Sequence, residues 1–188
     1  GAVRDGVVPP QATLRFAQES PPLAEVVRGV NKYSNNVMAQ HLLLSLGLAN
    51  SPTGFEQARQ VLATWWPQRM GADVPLPVVD NGAGLSRQAR TTAMALARLL
   101  QVAYGSGLMP DLMASLPLSG QDGTLRRSRT ATGVAHLKTG SLNDVMALAG
   151  YVHASDGQRR VFVAILNHPD ARVARPVMDT LLQWANPG

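Results

Sequence analysis

Several residue types and patterns are scarce or missing in this sequence of 188 residues. It contains no cysteine, so it can form no disulfide, and this absence is compatible with an extracytoplasmic compartment. No apolar run approaches the ~18 residues that a membrane-spanning helix needs, so we expect no transmembrane segment. The first five residues lack the basic start and apolar core of a signal peptide, and we expect no such leader in this stretch.

Lysine is almost absent as well. Lys32 and Lys138 are the only two lysines, against fifteen arginines. Arginine stays protonated in proteins, whereas lysine can lose its proton. We therefore expect a chemical reason for lysine at each of these positions.

The positive charge of the chain is spread out rather than concentrated. The net charge is +5 and the isoelectric point is near 10.4, values that would suit a nucleic-acid-binding protein. Apart from residues 126–129 and 159–160, however, the arginines occur singly and without interleaved aromatic residues. This distribution predicts a solvated basic surface and no nucleic-acid partner. A hydrophobic content of 45% and a charged content of 15% are typical of a folded globular protein.

The first 120 residues are predicted to be mainly helical. A weak alternation at residues 13–17 predicts one short strand, and apolar residues at helical spacing then predict five helices. Their approximate ranges are 21–33, 37–46, 55–66, 86–104 and 110–116. Thr53 and Ser86 are the expected caps of the third and fourth helices, and Pro67 is expected to end the third. The second helix is apolar nearly all round, which predicts that it is buried.

After Gly120 the hydrophobic period changes from that of helices to that of strands. Residues 133–137, 146–153 and 160–166 are predicted strands, joined by hairpin turns at residues 143–144 and 156–157. Residues 175–184 form a last predicted helix. The predicted fold class is therefore α+β, with a helical region, a three-stranded antiparallel meander and a C-terminal helix.

Two short motifs carry candidate chemistry. The first, Asn31-Lys32-Tyr33-Ser34-Asn35-Asn36, precedes the second helix and is predicted to be a loop, since Ser34 and Asn36 would point about 200° apart on a helix. The second, Leu137-Lys138-Thr139-Gly140-Ser141, is predicted at the end of the first strand of the meander. Taken singly, the first is compatible with a simple helix-capping cluster and the second with a surface strand that ends in a turn.

Together the two motifs give two of the three marks of penicillin-interacting serine enzymes, Ser-x-Asn and Lys-Thr-Gly. The chain resembles the class C low-molecular-mass penicillin-binding proteins, the D-alanyl-D-alanine carboxypeptidase/endopeptidase family. Further matching stretches lie at residues 20–23, 81–87 and 122–125, in the family's order and at compatible spacing. The resemblance covers most of the chain, from about residue 20 to residue 166.

The resemblance implies a role for each motif residue. Ser34 helps to pass a proton between the nucleophile and the leaving amine, and Lys138 supplies positive charge and a relay contact beside it. Asn36 binds the substrate peptide and orients the catalytic lysine. Thr139 binds the terminal carboxylate of the stem peptide or the acid group of a β-lactam.

The substrate-binding group implied by the resemblance also includes Gly140 and Ser141, whose backbone N–H would form half of an oxyanion hole. Because Lys138 and Thr139 alternate on a strand, both reach one site only if that strand lies at the edge of the cleft. No cofactor is implied, and the expected partners are peptidoglycan peptides and β-lactams in a periplasmic or other extracytoplasmic location.

The third mark, Ser-x-x-Lys, does not occur. With lysine only at positions 32 and 138, the serine would have to stand at 29 or 135, which are Gly29 and Ala135. In the family the nucleophile lies far upstream. The whole chain, residues 1–188, is thus expected to be the C-terminal part of the penicillin-binding domain, half of a DD-peptidase/β-lactamase-like domain, whose remaining partner is the N-terminal portion of the same protein.

Two functions of different class remain open. The first is a serine-type D-Ala-D-Ala carboxypeptidase or endopeptidase that works through an acyl-enzyme, with its nucleophile outside this chain. The alternative is an inactive module for cell-wall binding or scaffolding. The four histidines lack metal-ligand spacing, so no metal site is expected. His136 is the histidine of most interest, because it shares a strand face with Lys138, and Asp122 is expected to be a turn residue.

Overall fold

In this computed structural model the described residues are 3, 5–49 and 54–186. Helices α1 to α5 come first, and a 3-10 turn follows them. Three strands, a second 3-10 turn and helix α6 complete the chain. The bounds in chain order are α1 Leu23–Tyr33, α2 Asn36–Ser45, α3 Phe55–Met70, α4 Ala93–Tyr104, α5 Met109–Ser115, the turn Gly123–Leu125, β1 Ala135–Leu142, β2 Val145–His153, β3 Arg159–Asn167, the turn Ala171–Val173 and α6 Arg175–Ala185. The fold is α+β, as the sequence predicts.

The three strands form one antiparallel sheet in the order β1-β2-β3. Lys138 pairs with Ala149, and Val163 pairs with the same residue from the other side. Gly150 allows the close approach of β1 and β2, since a Cβ there would lie 2.0 Å from the carbonyl oxygen of His136. The meander and both of its predicted turns are confirmed.

Each face of the sheet is covered by helices. On one face Leu137, Leu148 and Phe162 pack with Met178 and Leu182 of α6 in the main core cluster. On the other face a second cluster joins Tyr151 to Leu100 of α4 and to Leu116, just after α5. The alternation of side chains along each strand supplies both clusters. Lys138 belongs to the second face, the one that the helical region covers.

Three predicted elements have different bounds in the structure. Residues 13–17 form no strand, because they are exposed and pair with none of the described residues. Helix α3 continues through Pro67 to Met70, since burial of Trp66 and Met70 offsets the single hydrogen bond that proline removes. Strand β1 runs on to Leu142, so residues 138–141 lie within it rather than after it.

Two further expectations about the helical region were wrong, and a third falls outside the described residues. Helix α4 begins at Ala93, and its cap is Thr92 rather than Ser86 because the bridge between Val78 and Arg90 keeps the preceding segment extended. Helix α2 is not deeply buried: Val37 is 63% exposed and only Leu43 is buried. Thr53, the expected cap of α3, lies outside the described residues.

The outer edge of β3 has no strand partner among the described residues, although β2 pairs with its inner edge. Its run from Val161 to Leu166 is apolar throughout, and unpaired N–H and C=O groups beside such side chains form a template for another strand. An open groove of about 870 Å³ follows this strand, lined also by Leu181 and Trp184 of α6. Trp184 is 82% exposed.

We expect hydrogen exchange to detect this open edge. In the 188-residue chain, alternate amides of β3 should exchange quickly, because they point away from β2, while the amides of β2 exchange slowly along its length. Strand β2 is the internal control, since it has a neighbour on each side. Uniformly slow exchange of residues 161–166 would show that the edge is already paired. The measurement is residue-resolved exchange by NMR.

Candidate functional site

The corner between α1 and α2 positions the first motif. Ser34 follows the last residue of α1 in a left-handed conformation, with φ 52 and ψ 49, and its N–H bonds the carbonyl of Val30. Asn35 then caps α2, because its side-chain oxygen accepts the N–H of Met38 at 3.1 Å. The left-handed conformation costs a residue other than glycine about 1–3 kcal/mol, so such a residue adopts it only where the surrounding structure holds it there. Ser34 is therefore held in a defined place.

Lys138 reaches this corner from β1. Its Nζ donates hydrogen bonds to the Ser34 hydroxyl and, at 2.9 Å, to the backbone carbonyl of Thr139. Burial lowers the pKa of the Lys138 ammonium from its ordinary value, since desolvation penalises the charged form. The two motifs, 104 residues apart in sequence, thus meet at one point.

The rest of the second motif lies along the outer part of β1. The hydroxyl of Thr139 lies 2.9 Å from that of Thr124, in the 3-10 turn. Gly140 and Ser141 are exposed. Strand β1 is an edge strand, and the segment 117–119 bonds its first half through contacts such as Leu137 N–H to the Pro117 carbonyl at 2.9 Å. From residue 138 onward, no backbone group of the described residues bonds this outer edge. The Lys138 ammonium does reach the Thr139 carbonyl there.

Asn36 is a predicted catalytic residue that the structure does not bring into direct contact with Ser34 or Lys138. It is the first residue of α2, and its side chain is exposed. Across the described ranges, no hydrogen bond joins that side chain to Ser34 or Lys138. Its neighbour Asn35 makes the helix-capping contact instead.

The second lysine is also near the cluster, in a separate contact that the motifs did not predict. Lys32, 5% exposed, donates from Nζ to the carboxylate of Asp122 at 2.6 Å. Burial acts to raise the pKa of Asp122, but hydrogen bonds from Lys32 and from the Leu118 N–H outweigh it, so the pKa is lowered. The sequence marked Lys32 as one of two lysines and as part of the first motif, and Asp122 was expected to be a turn residue. Neither signal indicated the contact between them.

His136 shares a strand face with Lys138, as predicted, but packs against a different partner. Its ring centroid lies 5.5 Å from that of His153. Among the described residues, the buried Nδ1 of His136 and Nε2 of His153 have no hydrogen-bond partner. Burial lowers the pKa of both imidazoles, helped by the neighbouring His153 in one case and by Arg159 in the other.

Other kinds of site find little support in the described part of the chain. No cluster of three or more potential metal ligands occurs there, and no described helix is long and apolar enough to cross a membrane. The groove along β3 does not include Ser34 or Lys138 in its lining. The candidate site is therefore the corner where α1, α2 and the edge strand β1 meet.

Comparison with known proteins identifies the family. Residues 1–187 match the D-Ala-D-Ala carboxypeptidase 3 (S13) family, and the chain belongs to that family. It is 33% identical over 144 residues to a D-alanyl-D-alanine carboxypeptidase of Actinomadura sp. strain R39, covering 72% of this chain and 27% of that protein. It is 32% identical over 178 residues to the carboxypeptidase DacB of Mycolicibacterium smegmatis, covering 88% of this chain and 38% of that protein.

The fold has solved counterparts. Penicillin-binding protein 4 (dacB) of Haemophilus influenzae, in complex with a β-lactam, matches with a TM-score of 0.69 at 23% identity, over 86% of this chain and 42% of that one. A predatory endopeptidase of Bdellovibrio bacteriovorus matches with a TM-score of 0.67 at 20% identity, over 88% and 44% of the two chains. The chain thus spans less than half the length of these relatives.

The paired histidines predict a loss of stability in acid. A histidine whose pKa is lower in the folded state binds protons more readily in the unfolded state. The free energy of unfolding is therefore greatest above about pH 6.5 and falls as the pH drops below that value. We expect His136→Gln to lose less of its free energy of unfolding than the original chain between about pH 7.5 and about pH 5.5. Urea unfolding at both pH values measures this difference.

The matched control is His41→Gln, on the exposed surface of α2. This variant should retain the acid sensitivity of the original chain. The same loss of stability in His136→Gln and in the original chain would show that the paired imidazoles do not govern acid unfolding.

Proposed function

We propose that this chain is the C-terminal part of the catalytic domain of a serine-type D-Ala-D-Ala carboxypeptidase or endopeptidase. The substrates would be peptidoglycan stem peptides, cleaved through an acyl-enzyme in an extracytoplasmic compartment. The nucleophilic serine and its lysine base would lie outside these 188 residues. The observation that carries the proposal is the hydrogen bond between Lys138 and Ser34, which joins the two family motifs at the free edge of β1.

The chemistry of acyl transfer needs a group that can both accept and donate a proton. In the acylation step the serine oxygen bonds to the carbonyl carbon of the substrate, the bond to the leaving amine breaks, and that amine must gain the proton that the serine loses. The Ser34 hydroxyl can make this transfer. Lys138 holds that hydroxyl, and its lowered pKa favours proton exchange in a way that arginine could not.

The edge of β1 supports the binding half of the proposal. An extended peptide can pair with backbone groups beyond residue 138, where no backbone group of the described residues bonds that side of the strand. We assign the Ser141 N–H to the oxyanion hole, together with the Gly140 backbone that leads to it. The Thr139 hydroxyl and the Lys138 charge are suited to a terminal carboxylate. Asn36, exposed at the start of α2, would contact the substrate peptide.

Labelling with a fluorescent penicillin tests the proposal. We expect the 188-residue chain to form no covalent adduct, because acylation needs the missing serine. A polypeptide that also carries an upstream Ser-x-x-Lys segment should be labelled at that serine. Mass spectrometry of the labelled peptides identifies the site.

Two outcomes of this labelling would contradict the proposal in different ways. An adduct on any serine of the 188 residues would place the nucleophile inside the chain. A folded, extended polypeptide that contains the Ser-x-x-Lys segment and still takes no label would favour the alternative, an inactive cell-wall-binding or scaffolding module.

A further inference from the structure

The buried ammonium of Lys32 connects the corner at Ser34 to a distant turn. Lys32 lies in the last turn of α1, two residues before Ser34. Its Nζ donates to the carbonyl of Leu116 and to Asp122, each at 2.6 Å. The other oxygen of Asp122 accepts the N–H of Leu118 at 2.8 Å. One carbonyl group and one carboxylate group, both from the short segment 116–122, therefore hold the end of α1.

The turn is pressed directly against the backbone of α1 at the same place. Gly123 has φ 54, and a Cβ on it would lie 2.5 Å from the carbonyl oxygen of Lys32. The same Cβ would lie 3.2 Å from the side chain of Pro117. Only glycine fits at this position, because the backbone has a positive φ and because a Cβ would clash with the Lys32 carbonyl oxygen. A movement of the turn away from α1 or toward it would therefore disturb the partly buried ion pair of Lys32 with Asp122.

The residue after Gly123 makes the second connection. The Thr124 hydroxyl lies 2.9 Å from the Thr139 hydroxyl. Thr139 follows Lys138, whose ammonium bonds Ser34. The contacts form a closed circuit from Ser34 to Lys138 and Thr139, across to Thr124, and back through Asp122 and Lys32 to Ser34.

We propose that Lys32 and the segment Asp122–Gly123–Thr124 are positioning residues, which fix the Ser34 corner against Lys138 and Thr139. The circuit has two independent ties, an ion pair to α1 and a hydroxyl contact to β1. Each tie limits how far α1 and β1 can separate. The positioning of Ser34 against Lys138 stands on geometry alone, whereas the effect of that positioning on acylation rests on the proposed function.

A simpler interpretation makes Lys32 and Asp122 an ordinary ion pair that stabilises the end of α1. Thr124 separates the two interpretations, since it is exposed and adds little to any core. If the ion pair served stability only, loss of the Thr124 hydroxyl would leave the surroundings of Lys138 unchanged. If the circuit positions Ser34 against Lys138, loss of either tie should let water reach the Lys138 ammonium.

The test uses the fact that Lys32 and Lys138 are the only lysines. A chain labelled with ¹⁵N and ¹³C at lysine gives two side-chain signals, and their pH titration follows Lys138 directly. We expect the titration midpoint of Lys138 to rise toward the ordinary lysine value in Thr124→Val and in Asp122→Asn. Thr124→Ser, which keeps the hydroxyl, should restore the original midpoint.

The matched control is Thr180→Val on the exposed side of α6, which should leave the Lys138 signal unchanged. An unchanged midpoint in both Thr124→Val and Asp122→Asn would overturn the proposal. If Asp122→Asn fails to fold, Thr124→Val alone tests the positioning role, because the Thr124 side chain is exposed and its replacement should not prevent folding.

Penicillin acylation of the extended polypeptide gives the second readout. Thr124→Val should slow it by roughly ten- to a hundredfold at unchanged thermal stability, as expected for a small displacement of a reacting group. If the extended polypeptide without substitutions is not acylated, the proposed function fails. The Lys138 titration still decides whether the circuit positions Ser34 against Lys138. A Thr124→Val variant with a shifted midpoint and full acylation would contradict the predicted effect on the reaction only.

Discussion

The hydrogen bond between the Lys138 ammonium and the Ser34 hydroxyl is the interaction on which the candidate site depends. It joins a helix corner near the start of the chain to an edge strand near its end. Ser34 sits in a left-handed conformation that its surroundings must maintain, and Lys138 is a partly buried cation whose lost hydration its hydrogen bonds replace. Each residue therefore supplies what the other needs.

The architecture makes this contact possible by placing helices on both faces of a small sheet. Helix α6 covers one face, whereas α4 and α5 cover the face that carries Lys138. Strand β1 remains an edge strand from residue 138 onward, so a groove wall with free backbone groups lies beside the site. The opposite edge, at β3, is also open among the described residues and is bordered by an apolar groove. Among the described residues, the sheet thus has a stretch without a strand partner at each of its two edges.

Local patterns predicted most of the fold. The change of period after Gly120 and the turn residues at 143–144 and 156–157 were enough for the meander, because hairpins are encoded by neighbouring residues. The errors came from non-local contacts. Pro67 lies inside α3 because Trp66 and Met70 are buried there. Helix α4 is capped by Thr92 because the bridge between Val78 and Arg90 holds the residues before it extended.

The candidate site was predictable in part only. The two motifs and their family resemblance indicated that Ser34 and Lys138 belong to one site, although neither motif was specific alone. The ion pair of Lys32 with Asp122 spans 90 residues and has no local signature. The rarity of lysine and the family-matching stretches marked the two residues, but not their contact. Thr124 lies in the matching stretch 122–125, but nothing in the sequence indicated its contact with Thr139, because the two residues belong to separate segments.

The central claim is that Ser34 and Lys138 act as one unit. The most direct test is a double-mutant cycle on penicillin acylation with Ser34→Ala and Lys138→Ala, made in an extended polypeptide that also contains an upstream Ser-x-x-Lys segment. Two residues that act as one unit give a double variant about as slow as the slower single variant. That result is the one we predict. Losses that multiply, as expected of independent residues, would show that Ser34 and Lys138 do not work together and would contradict the account.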